Sequence, residues 1–144
     1  AWGQMTVVST GGTISRNGDG SGIGVCSGLC DTDANSALDS SKSLSFKLSG
    51  GKTAGKFALG VLSLDPTVQI SFTFKLGGVD VGVPVTYPTP LNPPAPIVSY
   101  ERTVLPNLQP SPPAAFDEVI IQPLGTSRFF IASIRFCTAA ENCN

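Results

Sequence analysis

Apolar and polar residues alternate with a period of two along most of this chain, the pattern of strands that bury one face and wet the other. It is clearest in Val68-Gln-Ile-Ser-Phe-Thr-Phe-Lys-Leu76, where Val68, Ile70, Phe72, Phe74 and Leu76 share a face and Gln69, Ser71, Thr73 and Lys75 take the other. Gly77-Gly78 follows, and Val79, Val81, Val83 and Val85 then alternate again. Two alternating runs joined by two residues that both accept positive φ predict a β-hairpin.

Leu44, Phe46 and Leu48 predict a shorter strand with Ser45 and Lys47 outward. Phe57 to Leu64 is more continuously apolar, as in a strand covered on both faces. Met5 to Ser9 and Gly12 to Ser15 read as short strands. Phe116 to Gln122 and Arg128 to Phe136 predict a second hairpin, with Phe130, Ala132, Ile134 and Phe136 on one face. No stretch keeps a helical period for three turns. About eight to ten strands with Gly and Pro punctuation predict an all-β, antiparallel β-sandwich, jelly-roll-like, in a single domain over residues 1–144.

Residues 84–113 hold ten of the twelve prolines. Proline removes a ladder donor, so no central strand can lie there. Between the clusters, Ile97 to Leu105 reads as an edge strand. Two readings stay open for the whole stretch: a long crossover lying on the sandwich, or an extended arm that docks on a neighbour. The cluster PTPLNPPAP, residues 88–96, lacks the arginines expected beside a proline-rich peptide ligand.

Composition narrows the function classes. Nine basic and ten acidic residues give a formal charge of −1, which offers no attraction for nucleic acid or an anionic membrane. No apolar run approaches the ~18 residues of a membrane span. The chain starts at Ala1 and is read as a mature exported chain, extracellular or at a cell surface, after removal of a signal peptide. Four cysteines agree with an oxidising compartment. Their spacings, C-x3-C at Cys26 and Cys30 and C-x5-C at Cys137 and Cys143, fit neither a thioredoxin-like site nor a zinc ribbon. The expected pairing is local, Cys26–Cys30 and Cys137–Cys143, with a cross-pairing or a bond between subunits left open.

The absence of histidine removes Ser-His-Asp and Cys-His catalysis and all His-containing metal sites. A glycosidase needs only two facing carboxylates. Asp117 and Glu118 are adjacent and would point to opposite faces of a strand, while Asp31 and Asp33 have the spacing of an ordinary polar turn. Gly18 to Gly24 is glycine-rich but does not join a strand to a helix, so it reads as a flexible turn and not as a phosphate loop. No enzyme is expected.

The acidic loop CSGLCDTDANSALD, residues 26–39, has the rhythm of a calcium loop. Counting from Asp31, Asp33 falls at position 3, Asn35 at 5 and Asp39 at 9. Position 6 is then Ser36 instead of Gly, and position 12 is Lys42, a cation where the bidentate Glu belongs. An EF-hand is excluded. Two readings remain: a looser calcium site on Asp31, Asp33, Asn35 and Asp39, with Asn17 or Asp19 as a remote ligand, or a metal-free network of polar turns.

Two stretches carry a resemblance. "NGDGSGIGVCSG…DTDANSALDSSKSLSFKL" resembles the early strands of bacterial secreted jelly-roll domains, in which a GxGV turn precedes an acidic loop and a buried apolar-Asp pair, here Leu38-Asp39. "FDEVIIQPLGTSRFFIASIRF", residues 116–136, resembles their closing hairpin. Exosortase-sorted surface proteins and carbohydrate-binding modules share this pattern. The resemblance covers about a third of the chain and implies a secreted sandwich.

Two functions follow as expectations. The first is a structural subunit of an extracellular filament or matrix, polymerising with copies of itself by strand addition, with Trp2, Met5 and Val7 or Val8 as anchors. The alternative is a carbohydrate-binding module, for which Trp2, Tyr87 and Tyr100 are the available platforms, since most phenylalanines occupy core-face positions.

Overall fold

The computed structural model describes residues 5–16, 22–30, 32–64, 68–87, 103–108 and 114–138. In chain order these form β1 (Met5–Thr10), β2 (Thr13–Arg16), β3 (Ile23–Cys26), one helical turn α1 (Asp33–Ser36), β4 (Ser43–Leu48), β5 (Lys56–Ser63), β6 (Ile70–Leu76), β7 (Val79–Asp80), β8 (Val85–Tyr87), β9 (Thr103–Leu108), β10 (Glu118–Pro123) and β11 (Phe129–Cys137). They pair into two antiparallel sheets. The first has the order β1-β4-β10-β6-β7, with β8 also on β6; the second has the order β2-β3-β11-β5-β9. The chain is an all-β sandwich, as its periodicity requires.

Alternation builds the core. Leu44, Phe46 and Leu48 of β4, Ile70, Phe72 and Phe74 of β6, and Val119 and Ile121 of β10 face Phe57, Leu59 and Val61 of β5 and Phe129, Ile131 and Phe136 of β11. Phe57 meets Phe72, Phe74, Phe116 and Phe136 edge-on, with ring centroids 5.3, 5.5, 6.0 and 6.4 Å away. Each buried ring contributes roughly 1.5–3 kcal/mol by area, and edge-to-face pairs add about 0.5–1.5 kcal/mol. The run in β5 is buried from Phe57 to Ser63, because Leu62 lies under Ala37 and Phe130 on its other face.

The hairpin over residues 70–87 forms as expected. Gly77 and Gly78 have φ of 60° and 82°, and Leu76 pairs with Val79. Gly82, with φ 67°, breaks the returning strand into β7 and β8, and Val79 and Val83 are left exposed.

Three expectations need correction. Residues 116–136 are not a hairpin: β10 sits between β4 and β6 in the first sheet and β11 between β3 and β5 in the second. Both strands carry large apolar residues that must face each other across the core, and the turn at residues 124–128 carries the chain from one layer to the other. The face shared by Phe130, Ala132, Ile134 and Phe136 is also broken. Register shifts between Ile131 and Ser133, so Phe129, Phe130 and Ile131 are all buried while Ala132 is exposed. The edge strand of the proline-rich stretch is Thr103–Leu108, displaced from the expected 97–105, of which residues 97–102 lie outside the described residues. Among the described residues it pairs only with β5, and such an edge accommodates Pro106, which has no N–H to offer.

Candidate functional site

Several connections meet at one end of the sandwich: the Gly11-Gly12 turn, the loop from α1 to β4, the turn after β10 and the start of β6. The loop after β3 opens with a disulfide between Cys26 and Cys30, one of the expected pairs. Cys137 is also disulfide-bonded, and Cys143 lies outside the described residues. The chain then makes the single turn α1, with Asn35 N–H donating to Thr32 Oγ1 at 3.2 Å and Ser36 N–H to Thr32 O at 3.1 Å. Leu38 pairs with Phe129 in an isolated bridge that fastens this loop to the second sheet.

Lys42 is the unexpected member of the loop. Its side chain is 4% exposed, and its ammonium lies 3.2 Å from Asn35 O, 3.0 Å from Ala37 O and 3.3 Å from Asp39 Oδ2. Asp39 Oδ1 accepts the Ser41 N–H at 2.9 Å and the Ser41 hydroxyl at 2.5 Å. Partial burial pushes the Asp39 carboxyl upward, but the Ser41 hydroxyl, the Ser41 N–H and Lys42 together outweigh it and hold the group below its ordinary value.

The expected calcium ligands are thus distributed as follows. Asp39 is engaged by Ser41 and Lys42, and Asn35 offers its carbonyl to Lys42. Asp33 opens α1. Asp31, Asn17 and Asp19 lie outside the described residues. Among the described residues no group of three acidic or cysteine side chains could hold a metal ion.

Of the expected assembly anchors, Met5, Val7 and Val8 fall in β1, which pairs along its whole length with β4, from Met5–Leu48 to Thr10–Ser43. Met5 and Val7 pack against the core margin, whereas Val8 is 54% exposed on the outer face. Trp2 lies outside the described residues.

Aromatic side chains decide where a sugar could stack. All eight phenylalanines are buried, so none offers a free ring face. Trp2 and Tyr100 lie outside the described residues, which leaves Tyr87. Tyr87 ends β8 opposite Ile70, half-buried at the core margin. With Gln69, Thr86 and Leu124 it lines a cleft of about 190 Å³. The backbone of Gln69 is locked here: its N–H donates to Ser127 Oγ at 2.8 Å, and its carbonyl accepts Leu124 N–H at 2.9 Å. Its side-chain oxygen lies beside Gly125, 3.1 Å from where a Cβ on that residue would sit. The Gln122 amide reaches Ser40 O at 3.0 Å, so the turn beside this cleft is tied to the loop closed by Lys42.

A larger open cleft, about 410 Å³, lies where β3 parts from β11. The two strands pair only at Ile23–Ile131, and the Ala132 bulge follows at once. Arg16 and Ser133 stand at its rim, and Ile23, Ile131 and Ile134 form its walls. Its one aromatic, Phe46, is 2% exposed and belongs to the core. The larger cleft is therefore the less suited to stacking a sugar ring. Nothing in the sequence marked Arg16, Gln69 or Leu124, because each becomes a neighbour only through pairing between distant strands.

The described acids are engaged elsewhere. Ser45 Oγ donates to Glu118 Oε2, Asp117 Oδ2 accepts Gly77 N–H at 3.2 Å, and Asp80 pairs with Lys75 at 3.4 Å.

No family model matches the chain, and no curated relative matches it. Among solved structures it is similar to one described as "X-ray structure of GH31 CBM32-2 bound to GalNAc", at 13% identity and a TM-score of 0.53, over 93% of this chain and 97% of that one. At this identity the likeness establishes the shared sandwich, along nearly the full length of both chains.

Proposed function

We propose that this protein is a non-catalytic, extracellular carbohydrate-binding module, and that the cleft of Tyr87, Gln69, Thr86 and Leu124 holds the sugar. The Tyr87 ring carries the reading. It is the aromatic side chain among the described residues that the core leaves partly exposed, and it stands beside an amide and a hydroxyl. An aromatic face takes the C–H side of a pyranose, while Gln69 and Thr86 supply donors and acceptors for its hydroxyls. The cleft suits a single terminal sugar. The end-to-end likeness to a module bound to GalNAc supports the same reading. So does the Cys26–Cys30 disulfide, which fits an exported protein. Among the described residues no helix is long and apolar enough to cross a membrane. A glycan array followed by titration calorimetry tests the proposal: binding of a defined glycan, lost in Tyr87→Ala, is the expected result. An array with no binders would remove it.

Self-assembly by strand addition is the second reading. One observation favours it: β1 is an edge strand that, among the described residues, pairs with β4 alone. A second copy could donate the same segment without changing any contact it makes. Negative-stain imaging of the purified protein separates the readings. Filaments that vanish when residues 1–9 are deleted would favour strand exchange, and uniform single particles would not.

A further inference from the structure

An ammonium group taken out of water is costly unless its donors are matched and its charge is balanced. Lys42 meets both conditions. It has three N–H donors, and three oxygens surround it: two main-chain carbonyls, of Asn35 and Ala37, and the Asp39 carboxylate. The balance is one positive against one negative charge, with two carbonyl dipoles added. The stem arrives from the start of β4, whose position is fixed by pairing with β1 and β10. The acceptors arrive from α1 and the residues after it, held by the Leu38–Phe129 bridge. Gly11 brings the β1–β2 turn against the same place, where an added Cβ would fall 2.6 Å from Ser41 O and 3.2 Å from Lys42 Cγ.

This is how a loop arranges oxygens around a cation, and the cation is already present. We infer that the oxygens of Asn35, Ala37 and Asp39 form an ammonium site filled by the chain's own Lys42, so that the native loop is closed without calcium. Calcium needs six to eight oxygen ligands and several negative charges. A divalent ion at these oxygens would have to displace the ammonium, whose charge repels it. The tethered cation stands where a metal would, as a covalent part of the fold, so the site can be neither emptied by a chelator nor loaded by added calcium. Through Ser40 and Gln122 it also braces the end of the sandwich that carries the Tyr87 cleft.

The test uses the full chain. Thermal unfolding of the native protein in calcium chloride and in EDTA is expected to give superimposable curves, and a higher Tm in calcium would overturn the inference. Lys42→Ala is expected to lower Tm by roughly 5 °C, because the carbonyls of Asn35 and Ala37 lose their donor while the part-exposed Asp39 is still met by water and Ser41. Methylammonium or ethylammonium chloride should restore part of that loss, while tetramethylammonium or sodium chloride at equal concentration should not. Lys42→Met fills the space without a charge, and its loss should resist every amine. An Ala variant as stable as the native chain, or rescued equally by all the salts, would overturn the inference. If that variant does not fold, the comparison of the native chain in calcium and in EDTA decides alone.

Discussion

Leu38 and Phe129 exchange both of their backbone hydrogen bonds, Leu38 N–H to Phe129 O at 2.8 Å and Phe129 N–H to Leu38 O at 3.1 Å, and both side chains are fully buried. A loop that contains α1 and a buried lysine is thereby made part of the second sheet. Leu38→Ala should cost about 2–4 kcal/mol in chemical denaturation, as for any large side chain removed from a closed core. Leu29→Ala is the control: Leu29 is 77% exposed, and its loss should change stability by less than about 0.5 kcal/mol.

Tyr87→Ala should weaken binding of the glycan found on the array by at least about tenfold, or 1.4 kcal/mol, in titration calorimetry. Val79→Ser, at the tip of the β6–β7 hairpin and away from the cleft, should leave affinity unchanged. Equal losses in both variants would point to a different surface.

The disulfide between Cys26 and Cys30 closes a loop of about five residues, and by chain entropy it should stabilise the fold by only about 2 kcal/mol. Replacing both cysteines by Ala should lower the urea midpoint accordingly and leave the slope of the transition nearly unchanged.

Asp39 gives the fold an acid dependence whose sign is fixed. Its carboxyl is held below the ordinary value in the folded state, so the folded state binds the proton less readily than the unfolded chain. Its stabilising contribution is present above the unfolded carboxylate value of about 3.9 and is lost as pH falls through the lower folded one. Asp39→Asn should therefore be less stable than the native chain at neutral pH, with the gap closing in acid below about pH 4. The carboxylate is one-third exposed, so solvent screening keeps the gap small.

Gly24 faces the same loop. A Cβ there would lie 2.2 Å from Ser36 O and 3.0 Å from Ala37 Cα, both of them backbone. Gly24→Ala should force these apart at a cost of about 1–3 kcal/mol, read as a lower Tm.

Strands and faces were legible wherever alternation was unbroken. Ile70, Phe72 and Phe74 are fully or almost fully buried, and Gly77-Gly78 makes the turn that two glycines predict. Legibility ended where a side chain's neighbour lies far away in sequence. The residues from Phe116 to Phe136 look like a hairpin because local pattern says which face is apolar, not which layer a strand joins. The Ala132 bulge was invisible for the same reason: it depends on the pairing of β11 with β5. In the acidic loop, spacing made Lys42 a defect in a calcium pattern. The fold makes it the centre of the loop, because the carbonyls of Asn35 and Ala37 turn toward it and carbonyl directions leave no trace in residue identity. Tyr87 was legible as an aromatic; its companions Gln69 and Leu124, brought together by the ladder between β6 and β10, were not.

The placement of β10 and β11 sets an order of events. Each is a central strand of its sheet, and both come from residues 118–137, after all the other described strands. Until they are synthesised, β4 has no partner on the side away from β1, β6 is paired only within its own hairpin, and β5 lacks its longest ladder. Neither layer can close before that segment joins it, and its ladders pair segments distant in sequence, as in slow-folding β proteins. One continuous segment thus supplies a central strand to each layer, so that completing one sheet brings the strand that completes the other beside its place.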